Sequence, residues 1–163
     1  MNRMPIFGEY NIPVGEGLAS SQVVTNASSG NNDDIQILLS PIGKIIENQW
    51  ENIPYQYEHV ELDEYIIMPN HIHGIIIISR NNKKVDARPT PTVSDVVCAF
   101  KSRCVVDYLR YIKDNNLEIS GKIWQRSFYD HVIRTDRSLS AVRDYIAGNP
   151  VNWELDVENL LNL

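Results

Sequence analysis

Asp63-Glu64-Tyr65-Ile66-Ile67-Met68-Pro69-Asn70-His71-Ile72-His73-Gly74-Ile75-Ile76-Ile77-Ile78 is the stretch on which the fold of this chain turns. From Val60 to Met68 and again from His71 to Ser79 the residues are apolar and β-branched, and only Pro69-Asn70 separates the two runs. That pattern predicts a β-hairpin. Beyond the histidines, both faces of the second run carry isoleucine. A strand with one solvated face would alternate with polar residues, so this one is expected at the centre of a sheet, buried on both sides.

Working outward, Ser40-Pro41 reads as an N-cap followed by proline in the first helical turn, and Ile42, Ile45, Ile46 and Trp50 recur at helical spacing. A helix to about Ile53 is expected. Residues Arg80 to Val93 are polar and broken by Pro89 and Pro91, a connection into a cap at Ser94-Asp95. Over Ser94 to Lys113 the apolar Val97, Phe100, Cys104, Val105, Tyr108 and Ile112 share one arc, with Arg103, Arg110 and Lys113 roughly opposite. After Asp114-Asn115-Asn116, Ser127 to Arg134 reads as a strand. Leu139, Val142 and Ile146 mark a last helix that Asn149-Pro150 is expected to end. Residues 11–34, rich in Gly, Ser and Asn, predict no packed element. The order helix, strand, strand, helix, strand, helix predicts an α+β fold, a central antiparallel sheet with helices packed on it.

With 163 residues, 43% hydrophobic and 22% charged, the chain can bury one sizeable core. No basic segment followed by an apolar run opens it, and nothing approaches the roughly 18 apolar residues a bilayer requires, which predicts a soluble, cytoplasmic protein with no membrane partner. Cys98 and Cys104 suit neither a disulfide framework nor a zinc knuckle and read as reduced packing residues. The net charge of −6 argues against indiscriminate nucleic-acid binding, but it is unevenly spread. Residues 1–80 carry 3 Lys and Arg against 10 Asp and Glu, whereas residues 98–143 carry 9 against 5. The basic region is either a phosphate-binding face or a solvated surface of mixed charge.

Histidines at i and i+2 of a strand project from one face about 7 Å apart at the backbone, so His71 and His73 can converge on one ion. The alternative is a hydrogen-bonded pair at the mouth of a hairpin. Tyr145 borders the apolar stripe of the last helix, and Asn149 follows four residues later on the same face. A phenol held in line with a phosphodiester can attack phosphorus when a nearby metal offsets the developing charge, and the amide oxygen of Asn149 can be a third ligand. The alternative is a core tyrosine with its hydroxyl at the rim.

The stretch from Asp63 to Ile76 resembles the HUH-motif segment of REP-associated tyrosine transposases and their insertion-sequence relatives. Phe100-Lys101-Ser102, Trp124-Gln125-Arg126-Ser127-Phe128-Tyr129-Asp130-His131-Val132-Ile133-Arg134, and Asp144-Tyr145-Ile146 with Asn149-Pro150 are similar to the same family in the same order, so the likeness runs from about Ser40 to Trp153. It implies a ferredoxin-like HUH fold and a transposase that binds single-stranded hairpin DNA, then cleaves and rejoins it through a 5′-phosphotyrosine. His71, His73 and Asn149 are then ligands of Mg²⁺ or Mn²⁺, and Tyr145, not Tyr129, is the nucleophile. The resemblance further makes Lys101, Arg103, Arg110, Arg126 and Arg134 candidates for DNA contacts, led by Lys101, which falls within the apolar arc of its helix and must snorkel or meet a partner. His131 stays outside the catalytic set.

Family members begin with an aromatic, β-branched strand ahead of a Phe-Gly-Glu segment, whereas Phe7-Gly8-Glu9 here follows only six residues. The first strand is therefore expected to be absent, leaving a sheet edge that invites a homodimer. The chain divides into a divergent, partly loose segment over 1–39, a transposase domain over 40–153 and a tail over 154–163. Two further readings stand beside the active transposase: an inactive, domesticated or truncated remnant that binds DNA, and a metallohydrolase that uses the histidines with a bound water and needs no tyrosine.

Overall fold

In the computed structural model, which describes residues 3–11, 21–25, 35–79 and 91–153, the isoleucine-rich strand is central, as its two-sided apolar pattern requires. Four strands form the main sheet: β1 (Arg3–Asn11), β4 (Val60–Ile67), β5 (His71–Ser79) and β6 (Tyr129–Val132), in the spatial order β4-β5-β1-β6 and antiparallel throughout. A separate hairpin pairs β2 (Ser21–Thr25) with β3 (Ile35–Leu39). With the helices α1 (Pro41–Glu51), α2 (Ile53–Gln56), α3 (Val93–Asp114) and α4 (Asp136–Asn152), the main sheet has the β-α-β-β-α-β course of a ferredoxin-like fold.

The caps follow from local chemistry. Ser40 Oγ accepts from the Gly43 amide at 3.1 Å, with Pro41 opening α1. On α3 a capping box forms two residues earlier than Ser94-Asp95 predicts: Thr92 Oγ1 accepts from the Asp95 amide, and the Asp95 carboxylate accepts from the Thr92 amide at 2.8 Å. Ile42, Ile46 and Trp50 of α1 and Phe100, Cys104 and Tyr108 of α3 meet Ile72 and Ile76 of β5 and Ile67 of β4 in one core. At its centre Trp50 and Phe100 pack edge to face, 5.3 Å between centroids. Cys104 belongs to this core, while Cys98 is exposed; both are free thiols.

Three expectations change. Ser21–Thr25, inside the segment expected to hold no packed element, forms strand β2 against β3. The sheet position expected to be empty is filled: Arg3–Asn11 pairs with β5 along its length, from Arg3 opposite Ser79 to Asn11 opposite His71, and pairs β6 on its other side. Phe7-Gly8-Glu9 thus lies within the first strand rather than after a lost one. The last helix does not stop at Asn149-Pro150 but continues through Pro150 to Asn152. A proline removes one helical N–H bond, and so close to the helix end only that bond is forfeited. Residues 12–20, 26–34, 80–90 and 154–163, which include most of the segment expected to be loose, most of the Arg80–Val93 connection and the tail, lie outside the described residues.

Gly74 answers to Trp50. A Cβ on Gly74 would fall 2.8 Å from Cη2 of the indole and closer still to Cζ2. Gly74→Ala is expected to lower stability in urea by about 1–3 kcal/mol, the usual cost of overpacking a full core. A change below about 0.5 kcal/mol would mean that the indole moves aside freely.

Candidate active site between the histidine strand and the last helix

Alternation along β5 sends Ile72, Gly74 and Ile76 toward α1 and α3, and His71, His73 and Ile75 to the opposite face. The two imidazoles are buried, 0% and 1% exposed, with centroids 4.4 Å apart at 74°. Asn70 Oδ1 lies 2.7 Å from His71 Nδ1. As an acceptor it fixes the proton on Nδ1 and leaves the Nε2 lone pair for a ligand. Burial, and then the neighbouring His71, push His73 down to about 3, so at neutral pH it is an uncharged imidazole able to ligate a metal. In the register of β1, Glu9 stands opposite His73 and Asn11 opposite His71.

Helix α4 crosses this face. The Tyr145 ring sits edge to face on His73 at 5.3 Å, yet the residue is 52% exposed, so the ring meets His73 while the rest of it is open to solvent. Asn149, one turn on, is 4% exposed, and its Oδ1 has no hydrogen-bond partner among the described residues. An amide acceptor in that state is costly unless something binds it. Among the same residues no group of three His, Cys, Asp or Glu forms; His71, His73 and the Asn149 amide are candidate donors to an ion.

Three participants escaped the sequence reading. Trp153 packs against His71, centroids 5.9 Å apart. It stands four residues after Asn149 and eight after Tyr145, a helical spacing that would have exposed it had the helix not been ended at Pro150. Asp63 and Arg143 form a two-point ion pair, Nε to Oδ1 at 2.9 Å and Nη2 to Oδ2 at 2.5 Å, joining β4 to α4. The arginine holds the Asp63 carboxyl below its usual range.

The basic candidates do not gather in one place. Lys101 has met a partner: its Nζ donates to the Gln125 carbonyl at 2.7 Å and lies 5.7 Å from the centre of the Trp124 ring, tying α3 to the loop before β6. Arg103 and Arg110 are exposed on α3, in the layer on the sheet face away from the histidines, and Arg110 pairs with Asp107 at 2.8 Å. Arg126 is exposed in the loop held by Lys101, and Arg134 is exposed between β6 and the Thr135 cap of α4. His131, exposed on β6, stands outside the cluster.

Fold and site together define a ferredoxin-like α+β protein that sets a tyrosine helix across a histidine-bearing central strand. The comparisons place the chain beside the REP-associated tyrosine transposases, to which it is similar in fold and in part of its sequence. It is 36% identical over 134 residues to an uncharacterized protein of Haemophilus influenzae, covering 74% of this chain and 71% of that one. A second Haemophilus influenzae protein, named for the REP-associated tyrosine transposases, is 29% identical over 97 residues, and the match spans about half of its length. The solved structure of a REP-associated tyrosine transposase bound to a REP hairpin superposes with a TM-score of 0.56 at 17% identity, over 91% of this chain and 67% of that one, and shares the fold. No protein-family model matches the chain. Among the described residues no helix is long and apolar enough to cross a membrane.

Asn149→Leu replaces the buried, unpartnered amide by an apolar side chain of similar volume. In metal-free protein this is expected to leave stability unchanged or to raise it by about 1–2 kcal/mol, read from urea unfolding. A loss of more than about 1 kcal/mol would mean that the amide oxygen carries a structural bond in the apo protein.

Proposed function

We propose that this chain is a DNA strand transferase in which Tyr145 attacks single-stranded hairpin DNA, with His71, His73 and Asn149 holding Mg²⁺ or Mn²⁺. The observation that carries this reading is the convergence of the Tyr145 ring on His73 from a helix that also brings the Asn149 oxygen to a buried position with no hydrogen-bond partner among the described residues. Two uncharged imidazoles and an amide oxygen fit a divalent ion, and the desolvation that keeps His73 neutral favours ligation over protonation. Bound there, the ion supplies positive charge against that developing on the phosphate.

The chain's own residues do the rest. Asn70 orients His71 through its Nδ1 proton, and Trp153 packs against the His71 ring. Tyr145, half exposed, presents its phenol to a strand arriving from solvent. The phenolic oxygen forms a bond to phosphorus as the bond from phosphorus to the 3′ oxygen breaks. The departing strand leaves as a 3′-hydroxyl, and the 5′ end stays on the enzyme as a phosphotyrosine. A 3′-hydroxyl attacking the phosphotyrosine reverses the exchange, so the energy of the broken bond is kept and no nucleotide cofactor is needed. Hairpin recognition draws support from the solved relative bound to a REP hairpin, with Arg126 and Arg134 as the exposed cations flanking β6 on the approach to α4.

Purified protein incubated with labelled single-stranded hairpin DNA from the ends flanking its own gene is expected to give an SDS-resistant complex in Mn²⁺ and none in EDTA. Tyr145→Phe should abolish the complex while leaving folding and DNA binding intact, and His71→Ala should remove cleavage and metal dependence together. Cleavage that survives Tyr145→Phe would instead make the histidine pair a hydrolase site, and binding with no adduct under any metal would make the chain a DNA-binding remnant.

A further inference from the structure

Helix α4 has few fixed points. Its buried residues are Ile146, Asn149 and Pro150, all of which follow Tyr145, and from Asp136 through Tyr145 no residue of the helix is fully buried. Leu139 and Val142 are only half-buried, so the fully buried footing lies at one end and the rotation of the rest of the helix is left to contacts at its edges. Taking about 100° per residue, Asn149 and Tyr145 lie about 60° and 100° to one side of Ile146, and Arg143 about 60° to the other. Tyr145 and Asn149 can face β5 only while the opposite flank, which carries Arg143, is held toward β4.

The partner of Arg143 is delivered by an irregularity in β4. Tyr65 pairs with Gly74 and Leu62 with Ile76, so Asp63 and Glu64 together oppose the single residue Ile75. This is a bulge, one extra residue that shifts the alternation of the strand. In regular alternation from Tyr65, Asp63 would share the face of Tyr65 and enter the helix-covered core. The extra residue keeps Leu62 in that core and brings Asp63 onto the α4 side, where its carboxylate takes both donors of Arg143.

We propose that the Asp63–Arg143 pair is a positioning device for the tyrosine helix, setting the rotation of α4 at which Tyr145 and Asn149 face the histidines. The inference rests on the strand-transferase reading above. A forked guanidinium bonded at two points to a planar carboxylate fixes direction as well as distance. Because Arg143 is 44% exposed, the pair contributes little to overall stability, and its effect falls on orientation. Small misplacements of a nucleophile lower rates on the order of 10–100-fold.

The test uses Asp63→Asn, Arg143→Gln and the double variant, with Glu118→Gln in an exposed loop as control. At saturating hairpin DNA each single variant should form the covalent adduct at least about tenfold more slowly, with hairpin affinity within about twofold and thermal midpoint within a few degrees of the parent. The double variant should be no slower than the worse single, because both changes break one contact. A loss of affinity with the rate intact would make Arg143 a DNA contact and overturn the proposal, as would single effects that multiply in the double variant or rates that do not change. Should the parent form no adduct, the strand-transferase reading falls and the pair is judged without activity. Fluorotyrosine placed at position 145 should then change its ¹⁹F shift or linewidth in Asp63→Asn and Arg143→Gln but not in Glu118→Gln. A signal identical in all of them overturns the positioning role.

Discussion

Strand β5 is buried on both faces, and the parity of its residues decides everything packed around it. Ile72 and Ile76 face the helices α1 and α3, with Gly74 between them leaving room for the Trp50 ring. His71, His73 and Ile75 face the other way, toward α4. A slip of one residue in register would drive both imidazoles into the apolar core and carry the isoleucines out of it. The register is held from both sides, by nine pairs with β1 and by the hairpin to β4, where the Met68 amide donates to the His71 carbonyl at 2.8 Å. The position of the histidines is thus a consequence of core packing on the face they do not share.

The same parity constraint explains why β4 needs its bulge. The strand must return Leu62 and Ile67 to the core on either side of the irregularity while placing a carboxylate on the α4 side between them. An unbroken alternation cannot do both with Asp63 at that position. One inserted residue satisfies the core and gives α4 a charged attachment that apolar contact alone would not orient.

Local patterns made the hairpin, the long helix and the histidine pair legible, because each is written in the spacing of near neighbours. The first strand was not legible: Arg3–Asn11 contains Pro5, Gly8, Glu9 and Asn11, poor strand formers whose place is set by pairing with β5 some 70 residues away. The run of α4 past Pro150 was missed because proline is a strong stop signal in sequence and only one lost bond near a helix end, and with that turn went Trp153. Lys101 could be recognised as a residue that needs a partner, but the partner is a backbone carbonyl 24 positions on, which no side-chain pattern announces. The Asp63–Arg143 pair, 80 positions apart, depends on a bulge that leaves no mark in the apolar pattern.

These features divide the two faces of the sheet by energetic role. The helix-covered face joins Trp50, Phe100, Cys104 and the isoleucines in continuous apolar contact, the arrangement that stabilises a fold of this size. The other face holds groups that disfavour folding: an imidazole kept neutral by desolvation, an amide oxygen with no partner among the described residues, and a proline within the helix that covers them. A chain selected only for stability would replace them with apolar side chains of the same volume. Confining them to one face of a strand whose other face is fully packed keeps their unfavourable contributions from spreading into the core, and it leaves the orientation of the tyrosine helix to polar contacts at its edge.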